Sequence, residues 1–208
     1  MISFVYFDVG GVVVLDISDQ KSWDGMKKDM GIPPQKFDHF DEFFDKQDLE
    51  LNISKKVDAL IPTIESQFGV QFPKNYSIQK ELVTRFKKNK SIWPIIGEIK
   101  KHCPVGLLTN MYPGMLDDIY KKGLMPTGSW DVTIDSSLIG YQKPEFKMYE
   151  FATKMVGVEA SEILFIDNSP TNIKAASDFG WQTFLYDPLN LADSNAKLLV
   201  LLQNSWKN

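Results

Sequence analysis

Three short apolar runs in this chain end in polar side chains. The run at residues 4–7 meets Asp8, the run at 105–108 meets Thr109-Asn110, and the run at 163–166 meets Asp167-Asn168. If these runs are strands of one parallel sheet, their ends gather on one rim, where ligands of open α/β sheets bind. Two carboxylates brought together in a half-buried place repel each other unless a cation lies between them. Oxygen donors of this hardness suit Mg²⁺, which takes one or two carboxylates and fills its other positions with phosphate and water. Lys143, in the turn Gly140-Tyr141-Gln142-Lys143-Pro144 that opens a helix, adds a positive charge suited to phosphate. Taken singly, an aspartate after a strand is a turn former or a helix cap, and a lysine at such a junction faces solvent. Together the four positions define a candidate phosphate and metal site.

The elements that must position these groups divide the sequence into three parts. Residues 2–7 form a β-prone run cut off by Asp8-Val9-Gly10-Gly11. From about 16 to 91 the pattern is helical. Pro33-Pro34 opens one helix with Phe37, Phe40, Phe43 and Phe44 along one side. Ser54 is placed to cap a second, whose Val57, Leu60, Ile61, Ile64 and Phe68 follow helical spacing until Gly69. Ser77 is placed to cap a third, with Ile78, Leu82, Val83 and Phe86 inward. After a hinge-like stretch at Ser91-Ile92-Trp93-Pro94, helical runs alternate with short apolar runs at 104–108, 132–134, 163–166 and 181–186. Alternating β and α elements predict a doubly wound, mostly parallel sheet covered by helices on both faces. The expected fold is therefore an α/β core of residues 1–15 and 92–208, interrupted by a helical cap at 16–91.

Composition narrows the function classes. The chain has 208 residues, 43% of them hydrophobic and 24% charged, which is ordinary for a globular protein. Its net charge of −4 gives no electrostatic footing for nucleic acid. The helical block has 13 acidic and 13 basic residues, so the core carries the whole excess of negative charge. A single cysteine, Cys103, excludes an internal disulfide framework and fits a reducing compartment. The apolar N-terminal stretch contains Asp8 and falls short of the ~18–20 residues that span a bilayer. A cytoplasmic protein without membrane association is expected, and the number of copies in its assembly is left open. Of 23 basic residues only Arg85 is arginine, so any mechanism needing a guanidinium fork has one candidate.

The segments Phe7-Asp8-Val9-Gly10-Gly11-Val12, Leu107-Leu108-Thr109-Asn110, Lys143-Pro144 and Phe165-Ile166-Asp167-Asn168-Ser169-Pro170-Thr171-Asn172 resemble the four ordered motifs of the haloacid dehalogenase superfamily. The resemblance spans the whole chain, because the helical block sits where that family inserts a cap between its first and second motifs. It is nearest to the branch of sugar phosphatases and epoxide-hydrolase N-terminal phosphatases. The resemblance implies phosphoryl transfer from a small phosphorylated metabolite through an aspartyl phosphate on Asp8. It also implies that Thr109, Asn110 and Lys143 hold the phosphoryl oxygens beside the Gly10-Gly11 turn. Mg²⁺ is implied on Asp8, the carbonyl of Gly10 and the Asp167-Asn168 pair, and the cap is implied to exclude water and select the leaving group.

Two positions depart from the family pattern. Phosphatases of this family usually carry a second aspartate two residues after the nucleophile as general acid and base, and here that residue is Gly10. General acid–base help is worth ~10²–10⁴ in rate, so aryl phosphates should be favoured over alkyl ones. The proton is then expected from the cap, from water or from the substrate, with His39 as a cap candidate. The fourth motif usually reads Asp-Asp, and here Asn168 offers a neutral oxygen in the second place, which weakens Mg²⁺ binding. Both departures also suit a non-catalytic ligand-binding member. The missing second aspartate suits in addition a metal-independent 2-haloacid dehalogenase, in which Arg85 would have to grip the substrate.

Overall fold

A computed structural model describes residues 1–206 of the chain. Its strands, in chain order, are β1 (Phe4–Phe7), β2 (Val14–Leu15), β3 (Lys87–Lys88), β4 (Val105–Thr109), β5 (Val132–Asp135), β6 (Ile163–Asp167) and β7 (Gln182–Leu185). Five of them form one parallel sheet in the order β5-β4-β1-β6-β7. All five expected strands are present, shifted by no more than two residues at either end.

The central strands are buried on both faces, which explains their unbroken apolar runs. Alternation still operates within β1. Val5 and Phe7 belong to one apolar cluster, while Phe4 and Tyr6 belong to the other with Phe165 and Trp181. Tyr6 stacks on Trp181 at 5.5 Å and donates its hydroxyl proton to the carbonyl of Ala152 at 2.9 Å, so its one polar atom is satisfied.

Strand order reverses at β1. The chain continues from it to β4 and β5 on one side, then to β6 and β7 on the other. Phe7 is in register with Leu107 of β4 and Ile166 of β6, so Asp8, Thr109 and Asp167 emerge at the same end. This is the switch point at which a crevice must open.

The segment between β2 and β3 is helical. Asp19 caps the helix Gln20–Asp29 by accepting from the Ser22 N–H, and Ser77 caps Ile78–Arg85 by accepting from the Lys80 N–H. Phe40 and Phe44 on the helix Phe37–Asp45 point inward, and Gly69 ends the helix Ile61–Phe68 in the left-handed conformation. Lys27 is wholly buried in this part, paired with Asp41 at 2.7 Å and lying over the Phe37 ring.

Two expectations are corrected. Ser54 caps no helix, because Pro62 cannot sit in a helical interior, where it lacks an N–H and clashes with the preceding turn. The chain instead makes a 3₁₀ turn over Val57–Leu60 and starts its α-helix at Ile61, with Pro62 in the first turn. Residues 91–94 are not a hinge. Pro94 lies in the first turn of the helix Trp93–Ile99, Ile92 is fully buried, and the Trp93 indole donates to the Val13 carbonyl at 3.3 Å. The two passages into and out of the helical segment are tied instead by the antiparallel pair β2–β3. Asn89 adds to this tie, donating to the Val12 carbonyl at 2.7 Å and to the Tyr186 hydroxyl at 3.0 Å.

Candidate active site

A cavity of about 460 Å³ opens over the carboxyl ends of β1, β4 and β6 and reaches the helical segment at Trp23, Asn52 and Leu82. Asp8, Gly10, Asn110, Lys143, Asp167 and Asn168 line it. Of the expected site residues, Thr109 and Gly11 are not in its lining. A second cavity, about 620 Å³, lies beyond the wall formed by Asp16, Ile17 and Ser18 and holds Arg85 and Lys87 but none of the strand-end groups.

The centre of the site is Lys143. Its ammonium is 2.9 Å from Asp8 Oδ1 and 2.7 Å from Asp167 Oδ2, and all three side chains are almost entirely withdrawn from solvent. Asp167 is well supported: Oδ1 accepts from the Ser169 N–H at 2.7 Å, and Oδ2 accepts from Lys143 and from the Asn172 amide at 3.1 Å. Asp8 has less support. Burial is the largest influence and pushes its carboxyl up to about 7; Lys143 opposes this and the charge on Asp167 adds to it. Burial works against the Lys143 ammonium as well, but the two carboxylates outweigh it and its pKa is raised. With one cation between two buried carboxylates, a proton on Asp8 or a further cation completes the charge balance.

Asn110 lines the cavity as expected and also clamps the Lys143 backbone. Its side-chain amide donates to the Lys143 carbonyl at 2.8 Å, and its side-chain oxygen accepts from the Lys143 N–H at 2.9 Å. Both ends of the side chain bond the lysine backbone, which leaves the second amide N–H as its remaining donor. The Thr109 hydroxyl is the opposite case. The residue is 1% exposed, and its Oγ1 has no hydrogen-bond partner among the described residues. A buried hydroxyl without a partner costs free energy.

The glycine pair is explained by two close approaches. Gly11 has φ +75°, and a Cβ there would lie 2.3 Å from Nδ2 of Asn168. At Gly10 a Cβ would lie 2.6 Å from Oδ2 of Asp16. Asp16 lines the cavity, and burial raises its pKa. His39 is exposed and packs edge-on against Phe68 at 5.3 Å, outside the cavity, so it is not placed to serve as an acid. Arg85 is held by Asp29 at 2.7 Å and by Glu81, also outside this cavity.

Sequence reasoning missed Asp16, Asn172 and the clamp by Asn110. Asn172 lies inside a segment already singled out for its pattern. The Asn110–Lys143 pairing spans 33 residues and leaves no local trace. Among the described residues no cluster of three histidine, cysteine or acidic side chains could hold a metal. The two carboxylates Asp8 and Asp167 nevertheless match what Mg²⁺ takes from a protein when phosphate and water supply the rest. No described helix is long and apolar enough to cross a membrane.

The sequence pattern of the haloacid dehalogenase-like hydrolase family matches residues 5–180. Among curated proteins, the chain is 26% identical over 129 residues to bifunctional epoxide hydrolase 2 of Sus scrofa, covering 56% of this chain and 22% of that protein. It is 29% identical over 111 residues to D-ribitol-5-phosphate phosphatase of Bacteroides thetaiotaomicron, covering 51% of this chain and 53% of that one. The matches thus span about half the phosphatase and about a fifth of the epoxide hydrolase.

Among solved structures, a HAD-like family hydrolase from Porphyromonas gingivalis superposes with TM-score 0.72 at 21% identity, covering 96% of this chain and 98% of that one. A HAD family enzyme from Bacteroides thetaiotaomicron in complex with magnesium gives TM-score 0.72 at 20% identity, covering 90% and 94%. L-2-haloacid dehalogenase from Xanthobacter autotrophicus gives 0.65 at 20% identity, covering 96% and 83%. These structural likenesses establish the fold.

Proposed function

The chain belongs to the haloacid dehalogenase-like hydrolases, and from that premise we propose that it is a Mg²⁺-dependent phosphatase of a small phosphorylated metabolite. The observation that carries this reading is the buried Asp8–Lys143–Asp167 cluster at the base of a cavity large enough for such a substrate. Its two carboxylates face a single ammonium, which leaves room in the charge balance for a divalent ion. Two similarities support it: the ribitol-phosphate phosphatase relative and the fold neighbour solved with magnesium.

In this reading residues 1–15 and 92–208 form the catalytic core, and residues 16–91 form the cap that selects the leaving group. Mg²⁺ would be held by Asp8, Asp167 and the Gly10 carbonyl, with Asn168 adjacent, and when bound it neutralises charge as phosphate approaches a carboxylate. Asp8 attacks phosphorus and becomes an aspartyl phosphate, which water then splits. Lys143 balances the charge that builds on the equatorial oxygens. The Thr109 hydroxyl gains in the phosphate complex the partner it otherwise lacks. Asn110 holds Lys143 in place through the lysine backbone, and its second amide N–H serves a phosphoryl oxygen. Arg85, tied to Asp29 and Glu81, is not placed to grip a haloacid.

The test is phosphate release from nitrophenyl phosphate and from a panel of sugar and polyol phosphates, with Mg²⁺ or with chelator. Metal-dependent release that disappears in Asp8→Asn is expected. A folded chain that releases phosphate from none of these esters refutes the reading in favour of a binding protein, and metal-independent halide release refutes it in favour of dehalogenation.

A further inference from the structure

Resting on the phosphatase reading, we propose that Asp16 is the catalytic acid and base, standing in the space left by the absent side chain of Gly10. An alkyl phosphate leaves as a strongly basic alkoxide, so its transfer to Asp8 needs an acid on the leaving-group side. The water that later attacks the aspartyl phosphate needs a base. The titratable side chains that line the cavity are Asp8, Asp16, Tyr112, Lys143 and Asp167. Asp8 is the nucleophile, Lys143 is held between two carboxylates, and Asp167, bonded to Lys143, Ser169 and Asn172, is the carboxylate assigned to Mg²⁺. Tyr112 is a far weaker acid, half-buried and near the charges of Asp48 and Asp45. Only Asp16 is left.

Its carboxyl is already aimed. Oδ1 accepts from the Ser18 N–H at 3.1 Å and from the Ser18 hydroxyl at 2.7 Å. That anchors one oxygen and leaves Oδ2 directed at Gly10, two residues beyond Asp8, where a Cβ would lie only 2.6 Å away. Glycine at position 10 is thus the residue that makes room for this carboxyl.

In the first half-reaction a bond forms from the Asp8 carboxylate to phosphorus while the phosphorus–alkoxide bond breaks. The Asp16 proton passes to the departing oxygen, giving the alcohol and an Asp16 carboxylate. In the second half, that carboxylate takes a proton from water as the water oxygen bonds to phosphorus. The bond to Asp8 then breaks, and inorganic phosphate, free Asp8 and protonated Asp16 are restored. An activated leaving group is not required, contrary to what Gly10 alone suggests.

Single-turnover release from nitrophenyl phosphate and from glycerol 3-phosphate, measured with the full chain and Mg²⁺, tests this. Asp16→Asn keeps an oxygen for Ser18 to bond, and it should lose roughly 10²–10⁴-fold on the alkyl ester but less than about tenfold on the aryl ester. Asp16→Ala should lose the alkyl activity in the same way. Adding Gly10→Asp to Asp16→Ala, where the opposing carboxyl is gone, should return about tenfold or more of it, a rescue that a merely structural Asp16 would not give. Equal losses on the two esters, or no loss on the alkyl ester, in a folded variant of an active wild type overturns the role of Asp16 alone. A wild type that hydrolyses neither ester, or keeps its activity in Asp8→Asn, overturns the phosphatase reading and this inference with it.

Discussion

Thr109→Val separates what a side chain does for folding from what it does for function. Thr109 closes β4, is 1% exposed, and buries a hydroxyl with no partner. An unsatisfied buried hydroxyl costs about 1–3 kcal/mol, and valine keeps the shape while removing the polar atom. With the low end of that range, the ligand-free variant should be about 1 kcal/mol more stable. For a domain of this size that raises Tm by roughly 2–4 °C. A hydrogen bond to a charged phosphate oxygen is worth about 1.5–3 kcal/mol, so the same change should lower kcat/KM roughly 10- to 150-fold. Thermal unfolding of the free chain and steady-state hydrolysis of one phosphate ester measure the two effects. Protection of the wild type by inorganic phosphate with Mg²⁺ should also be larger than protection of the variant. A variant that is less stable than the wild type shows that the hydroxyl already has a partner in the free protein. Unchanged hydrolysis shows that it never meets phosphate. Either result refutes the assignment.

Two further outcomes follow from the same geometry. Asn110→Ala removes two hydrogen bonds to the Lys143 backbone; at about 1 kcal/mol each, stability should drop by about 2 kcal/mol, and kcat should fall with KM nearly unchanged, which equilibrium unfolding and steady-state kinetics report. Burial lifts Asp8 to about 7, with Lys143 opposing and Asp167 adding, so the folded metal-free chain keeps a proton that the unfolded chain has released, and its stability declines as pH rises from about 4 through 7. A divalent ion binds only the carboxylate, so the Tm increment from Mg²⁺ should be larger at pH 8 than at pH 6 and vanish with chelator, whereas equal increments would show that Asp8 is not protonated in the free chain.

What the sequence reveals of this molecule is what acts over a few residues. The five core strands are legible because a doubly buried strand must be a short apolar run, and the polar residue that ends each run marks the rim. Ser77 and Gly69 are legible because a cap and a stop act within one helical turn. The failure at Ser54 is also local: apolar spacing continued through Pro62, but the backbone could not, and proline was the stronger signal. The sequence places Asn110 at the site without revealing its pairing with Lys143. Its neighbours in sequence say that it stands on the rim, and only the packing of a segment 33 residues away says that it also clamps a lysine backbone.

Asp16 shows why a missing motif residue is a weak guide to a missing function. Sequence comparison asks which side chain stands at position 10, whereas a reaction requires only that a carboxyl reach a point in the cavity. The chain makes a tight return after Asp8, with the Gly11 N–H bonded to the Val14 carbonyl at 2.8 Å and the Val14 N–H bonded to the Val9 carbonyl at 2.9 Å. That return brings residue 16 back beside residue 10. A β-carbon at residue 10 and a carboxyl from residue 16 exclude each other in that space. Glycine at 10 and aspartate at 16 therefore act as one arrangement, and changing either one alone tests only half of it. The informative comparison is the pair of changes, because only the pair moves the carboxyl from one attachment point to the other while keeping its place.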